Sequence, residues 1–241
     1  MSKMRDSVVL PIAAASMIAL LGGCPETKQV SMTAVPAPSF LPDSTLLQQG
    51  KAGQVDLVYA NPSANWASYT KMILDPVTIW AGPGSNLNQV SQKTQQGLAN
   101  AFYSALYGAA SKRCQMVSDP GPNTMRWRVA LIDATSANPA LNTVSTYIPQ
   151  LHILDEAAGY AFNDGVAYFV GEATAEAYAK DASTGTLLWE GADQRAGNKT
   201  LRGGTFNSWG DVDHAFQAWA DQFAKRLADW GACPQKKTSL G

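Results

Sequence analysis

The run Val166–Asp181 (VAYFVGEATAEAYAKD) constrains the fold more than any other stretch of the chain. At alternate positions one face reads Ala167, Phe169, Gly171, Ala173, Ala175, Ala177 and Ala179. The other reads Val166, Tyr168, Val170, Glu172, Thr174, Glu176, Tyr178 and Lys180. A period of two is the signature of a strand with two unlike faces. The first face is nearly all small, which lets a helix approach the sheet closely, so it is expected beneath helices. The charged face is expected to meet solvent or a partner. Alanine content leaves a helix as the alternative, but the clean alternation and the β-branched and aromatic residues favour a strand. Glu172 and Glu176 then stand roughly 13 Å apart, too far for a catalytic carboxylate pair.

Elements on both sides fit that strand. Ala182-Ser183-Thr184-Gly185 is tight-turn chemistry, so Thr186–Arg195 (TLLWEGADQR) is expected to pair back as a hairpin. A glycine-rich loop, 196–207, follows. Ser208 and Asp211 resemble a capping box at a helix start. Val212, Phe216, Trp219, Phe223, Leu227 and Trp230 recur at helical spacing, a bulky stripe suited to the small strand face.

Upstream, Val55–Tyr59 reads as a short strand and Tyr69–Trp80 as a longer one broken at Pro76. Gly82–Asn86 is a turn, and a helix is expected from about Leu87 to Lys112. Leu87, Val90, Thr94, Leu98, Ala101, Phe102, Ala105 and Leu106 recur at helical spacing. Arg113–Ser118 and Met125–Thr135 read as strands joined by Asp119-Pro120-Gly121-Pro122-Asn123, hence a hairpin. Residues 136–163 form a long connection, of a kind often tied to function. The expected fold is an α+β two-layer sandwich: about five strands in a largely antiparallel, or mixed, sheet, with two main helices on one face.

The first 24 residues read as an address. Lys3 and Arg5 give a positive start, Val8–Leu21 is mostly apolar, and Leu21-Gly22-Gly23-Cys24 follows. The apolar run is shorter than the roughly 20 residues a membrane-spanning helix needs, and Pro11 weakens it further. Together these parts describe a secretory signal over 1–23. The last four residues resemble a bacterial lipobox, which implies cleavage between Gly23 and Cys24 and lipid on the Cys24 sulfur. A plain signal peptide with an incidental cysteine is the alternative. Pro25 after Cys24 resembles the pattern sorted to the outer membrane. Residues 24–39 are then expected as a flexible tether reaching roughly 20 Å, residues 40–235 as a single domain and 236–241 as a frayed tail.

A formal charge of -1, with lysine and arginine scattered, argues against nucleic-acid binding. Besides Cys24 the chain has Cys114 and Cys233. Each follows a helix, and in an oxidising compartment they form a candidate disulfide, with two buried thiols as the alternative. No metal site or cofactor is expected. His152 and His214 lack recognisable catalytic partners, and no hydrolase, zinc-protease or nucleotide-binding motif occurs. Trp66, His152 and Trp209 lie in loop or cap positions and are the candidates for ligand or partner contact.

Several short motifs resemble the bacterial lipoprotein family known as domain of unknown function 3313. They are Phe40-Leu41 with Asp43 and Leu46; Tyr69 through Asp75-Pro76-Val77; Met125 through Leu131; Asp181 through Gly185; and Trp209-Gly210-Asp211-Val212 with Phe216, Trp219, Ala220 and Leu227. Ser44-Thr45 departs from the aromatic often found there. The resemblance implies an envelope lipoprotein without established activity and carries over no catalytic residue. More loosely, the layout resembles tethered accessory subunits of lipid-transport systems. The expected role is a non-enzymatic binding or accessory domain that docks on an envelope partner. A carrier or sensor of a lipid or small ligand is the alternative, and an unrecognised hydrolase the remaining one.

Overall fold

A computed structural model describes residues 27–136, 171–197 and 209–234. The centre of the sheet is three antiparallel strands: β7 (Thr124–Thr135), β8 (Glu172–Asp181) and β9 (Leu187–Gly197). The hairpin between β8 and β9 closes at Gly185, whose φ of 74° suits glycine. Asp181 shapes the turn, its Oδ1 accepting from the Ser183 and Thr184 amides.

On one side, β3 (Leu57–Ala60) and β1 (Thr27–Val30) share the free edge of β9, end to end. β2 (Gln48–Gln49) pairs with β3. On the other side, β4 (Lys71–Leu74) and β5 (Thr78–Ile79) pair parallel with β7, separated at Asp75-Pro76-Val77. β6 (Gln115–Met116) is the far edge. The described residues thus hold nine strands in a mixed sheet rather than about five. The additions are short segments whose periodicity is too brief to read.

The hairpin expected between Arg113–Ser118 and Met125–Thr135 does not form. β4 lies between β6 and β7 and runs parallel to both. The turn at 119–123 carries the chain past β4, and the Asn123 carbonyl caps its start by accepting from the Thr70 and Lys71 amides. Turn chemistry marks where the chain bends; it fixes neither the neighbouring strand nor its direction, and β6 and β7 end up parallel.

Helix α1 spans Gln92–Ser111 and α2 spans Gly210–Asp229. α1 starts later than its apolar pattern suggests. Asn86–Gln89 is a separate 3-10 turn, and the Ser91 hydroxyl caps α1 by accepting from Thr94 N. The capping box expected for α2 is overturned: Trp209 occupies the N-cap and makes no side-chain capping bond. Asp211 is buried, and its Oδ2 accepts from Gly171 N instead.

α2 packs its apolar stripe against β9 and β8, while α1 packs against α2 and over β5 and β6. Phe102 of α1 stacks on Phe216 of α2 with centroids 4.6 Å apart, and Trp219 packs beside them. Burying such rings contributes about 2–3 kcal/mol each.

The segment expected as a flexible tether is, from Thr27 onward, part of the fold. Thr27–Val30 forms β1, and Val30 and Met32 are buried. Residues 31–43 then cross the face of the sheet opposite the helices. Met32 packs there with Leu57 and Ala192. The described fold therefore already includes Thr27–Val30 and Met32, ahead of Phe40. Residues 1–26 and the tail at 236–241 lie outside the described residues.

Candidate functional site

The helix face of the sheet contains the candidate site. Strand alternation puts Ala175 and Ala177 of β8 beside Asp193 and Gly191 of β9, on the side facing α1 and α2. Trp127 and Val129 of β7 share this face. Three of the floor positions are Ala or Gly, so space remains beneath the helices. The result is a cavity of about 90 Å³. Phe102 and Leu106 of α1 and Trp219, Phe223 and Arg226 of α2 close it from above, with Val55, Val58 and Trp230 at the sides. Ala177 lies at mid-strand yet is only partly buried, as are Val55, Val58 and Phe223.

A short connection fences the rim. The Gly53 carbonyl accepts from Gln222 Nε2 at 3.2 Å and from Arg226 Nη2 at 3.1 Å. Gly53 has φ 79°, the left-handed region. The Arg226 guanidinium also sits 5.8 Å from the Trp230 ring centre.

Asp193, 2% exposed, is the acid in the wall. Its Oδ1 accepts from Gln29 Nε2 and Asp56 N. Its Oδ2 accepts from Trp219 Nε1 at 2.7 Å and lies 3.2 Å from Arg195 Nε as an ion pair. Burial pushes the carboxyl above its ordinary range, against the pull of these groups. Both oxygens are already engaged, so Asp193 ties β1, β3, β9 and α2 together. The Trp127 indole N–H is different: it is buried and has no acceptor.

On the opposite face, expected to meet solvent or a partner, the acids are covered by the chain itself. Glu176 and Glu190 are both fully buried there, under residues 38–43. Glu176 Oε2 accepts from Ser39 Oγ and Phe40 N. Glu190 Oε2 accepts from Asp43 N at 3.2 Å. Phe40 is wedged between Trp80 and Tyr178, and Trp80 Nε1 donates to the Pro38 carbonyl. Burial raises both carboxyls, outweighing the donors that pull the other way. Part of the charged face of β8 is thus covered by the chain's own N-terminal segment.

Of the residues singled out from sequence, Cys114 and Cys233 are joined as a disulfide, Cα atoms 4.8 Å apart, pinning the ends of α1 and α2 together. Trp66 stacks on Trp230 at 3.9 Å and serves as packing near the cavity side. Trp209 is half-buried against the core at the start of α2. His214 is half-buried in the first turn of α2. Gly23, Cys24 and His152 lie outside the described residues. The structure brings none of Trp66, Trp209 and His214 into the cavity wall.

Sequence reasoning missed Trp127, Trp189, Asp193 and Arg226. The one available signal was Asp193, a lone acid on the strand face that also carries Trp189 and Gly191. Among the described residues no group of three or more metal-binding side chains occurs, and no helix is long and apolar enough to cross a membrane.

No curated protein matches the chain. Among solved structures, it is similar to a PelC variant dodecamer from Paraburkholderia phytofirmans, at 12% identity over 74% of this chain and 98% of that one, with TM-score 0.37. It is also similar to a DUF4136 family protein from Bacteroides thetaiotaomicron, at 12% identity over 73% of this chain and 95% of that one, with TM-score 0.33. The model of a family described as protein of unknown function matches residues 37–223, and the chain therefore belongs to the DUF3313 family.

Proposed function

We propose that this protein is a bacterial envelope lipoprotein, anchored through lipid on Cys24 with its body facing the periplasm, most simply at the outer membrane. Its role is binding: a non-enzymatic domain that docks on an envelope partner. The observation that carries this reading is Leu21-Gly22-Gly23-Cys24 after a short apolar run and a positive start. Thr27 already belongs to the sheet, so the link from Cys24 spans three residues. Such a link reaches about 11 Å at most. The anchor would therefore hold the body close against the bilayer rather than on a long leash. Thr27 pairs with Gly197, and on this reading that end of β9 would lie nearest the bilayer.

The test is Cys24→Ser with membrane fractionation and intact mass. The parent should pellet with membranes and carry diacylglyceryl and acyl mass, and the variant should lose both. A parent without fatty-acid mass ends the proposal. The cavity favours a second reading, in which the domain carries or senses a small apolar ligand. The lone acid in its wall is fully engaged in holding the fold, which suits a container better than a catalyst.

A further inference from the structure

Resting on the docking reading above, we infer that the aromatic and arginine surface at the end of the sheet away from Thr27 is the face that docks, and that it receives an acidic segment of another envelope protein. The strap covers Glu176 and Glu190. On the rest of that face, β7 and β8 set Arg128 opposite Tyr178 and Arg126 opposite Lys180. Like charges directly opposite across a ladder destabilise a sheet. The chain nonetheless keeps three cations together here. Of the described acids, only Asp75 forms an ion pair with any of them.

The contacts run without a break. Trp80, 39% exposed, meets Phe40 with ring centres 5.7 Å apart, and Phe40 meets Tyr178 at 5.4 Å. Arg128 Nη1 donates to the Tyr178 hydroxyl at 3.3 Å, and Lys180 Nζ lies 5.6 Å from the centre of that ring. Asp75 Oδ2 accepts from Arg128 Nε at 2.8 Å and from Arg126 Nε at 2.9 Å, which holds the two guanidiniums side by side. The two arginine side chains are still 51% and 46% exposed. Tryptophan, tyrosine and arginine are the residue types that dominate binding energy at protein interfaces. Arginines already held in place lose less freedom when a partner arrives.

Charge and position name the occupant. Asp75 takes Nε and Nη2 of Arg126 and Nε of Arg128. Among the described residues Nη1 of Arg126 and Nη2 of Arg128 then have no acceptor, and carboxylates are the natural partners of such groups. A phospholipid headgroup is the competing anion, and distance counts against it. Lys180 and Glu172 stand toward opposite ends of β8, and Glu172 pairs with Ala196 beside the Thr27 end. At about 3.4 Å per residue the two are about 27 Å apart. Charge is screened over about 8 Å at physiological salt. The surface therefore stands clear of a bilayer that anchors the body through Cys24. The strap shows that this face takes an extended segment through point contacts. There the sheet offers acceptors to amides; here it offers donors to acids.

The experiment uses the full chain in cells, with the photocrosslinker benzoylphenylalanine in place of Trp80 in one strain. In another it replaces Gln217, an exposed residue of α2 on the opposite side of the sheet. The Trp80 position is expected to give one discrete adduct, with the linked peptide rich in aspartate and glutamate. A zero-length carbodiimide, which joins an amine only to a carboxylate in contact, should link Lys180 to the same peptide. Arg126→Gln with Arg128→Gln should cut the photoadduct about tenfold at equal protein level. Lys180→Glu leaves Asp75 its partners and is the second variant should the first misfold. An adduct from Gln217 alone overturns this surface and leaves docking itself standing. No adduct from either position overturns both. Links to lipid, to a second copy of this chain or to a peptide without acids overturn the occupant. So do undiminished adducts in both folded variants.

Discussion

The two faces of the β7–β8–β9 sheet are built from alternate residues of the same strands and are covered in opposite ways. The helix face is small and aromatic, is roofed by two long helices, and its cover is locked by a disulfide. The other face carries Glu176, Glu190, Arg126, Arg128 and Tyr178 and is roofed by an extended strap, residues 31–43. A helix needs a partner surface but satisfies its own backbone. An extended strap does not, and its amides must find acceptors elsewhere. The buried carboxylates supply them. Charge on that face is thus the means by which the sheet holds a segment with no secondary structure of its own. The helix roof is held by packed side chains and the disulfide; the strap is held by point contacts.

The comparison predicts where damage is greatest. Replacing both Cys114 and Cys233 by serine opens a loop with a sequence separation of 119. It should lower stability by about 4–5 kcal/mol, read from denaturant unfolding. A loss below about 1 kcal/mol would mean that helix packing alone fixes the roof. Phe216→Ala removes a fully buried ring stacked on Phe102 and should cost about 3–4 kcal/mol by the same measurement.

Effects on the strap face should be smaller and should depend on pH. Ser39→Ala deletes one donor to Glu176 and should cost about 1 kcal/mol. Burial holds Glu176 and Glu190 above the ordinary 4.5 despite their donors. A carboxyl raised in the fold binds its proton more firmly there than in the unfolded chain. Its contribution is present below 4.5 and is lost as pH rises through the raised value. Glu176→Gln with Glu190→Gln should flatten that fall in a series of thermal melts. A variant with the parent's slope would place the titration elsewhere.

Asp75 runs the other way. Burial pushes it up, but the hydrogen bonds and charges of Arg126 and Arg128 outweigh burial and bring it below 3.8. Its contribution is present above 3.8 and is lost as pH falls through the lowered value. Asp75→Asn should cost about 0.5–1 kcal/mol near neutral pH, less at high salt. Equal melting temperatures for parent and variant at neutral pH and low salt would make these pairs ornamental.

The legible parts of the fold were those with a long local period. The alternation of 172–181 placed its small face under the helices, as found. The stripe Val212, Phe216, Trp219, Leu227 marked α2 and its buried side. The covered charged face was not legible, because Glu176 looks the same in a sequence whether water or an amide satisfies it. Nor was the strap, since PETKQVSMTAVPAPS has the composition of a linker. Its order comes from an edge of β9 left open for β1 and from acceptors far along the chain. The cavity was hidden for a related reason: Ala177 and Gly191 announce close packing, and only the position of α2 turns their small size into empty space.

By itself the sequence determined the class of the molecule, because periods of two and of three to four are imposed on each segment by its own backbone geometry. It also determined the signal-like start and the cysteines available for pairing. Tertiary structure alone decided that β4 separates β6 from β7, that the N-terminal segment roofs the acidic face, and that an apolar space stays open under α2. Those outcomes depend on contacts between residues tens to more than a hundred positions apart. Such contacts form only when edges, faces and buried polar groups must all be satisfied together.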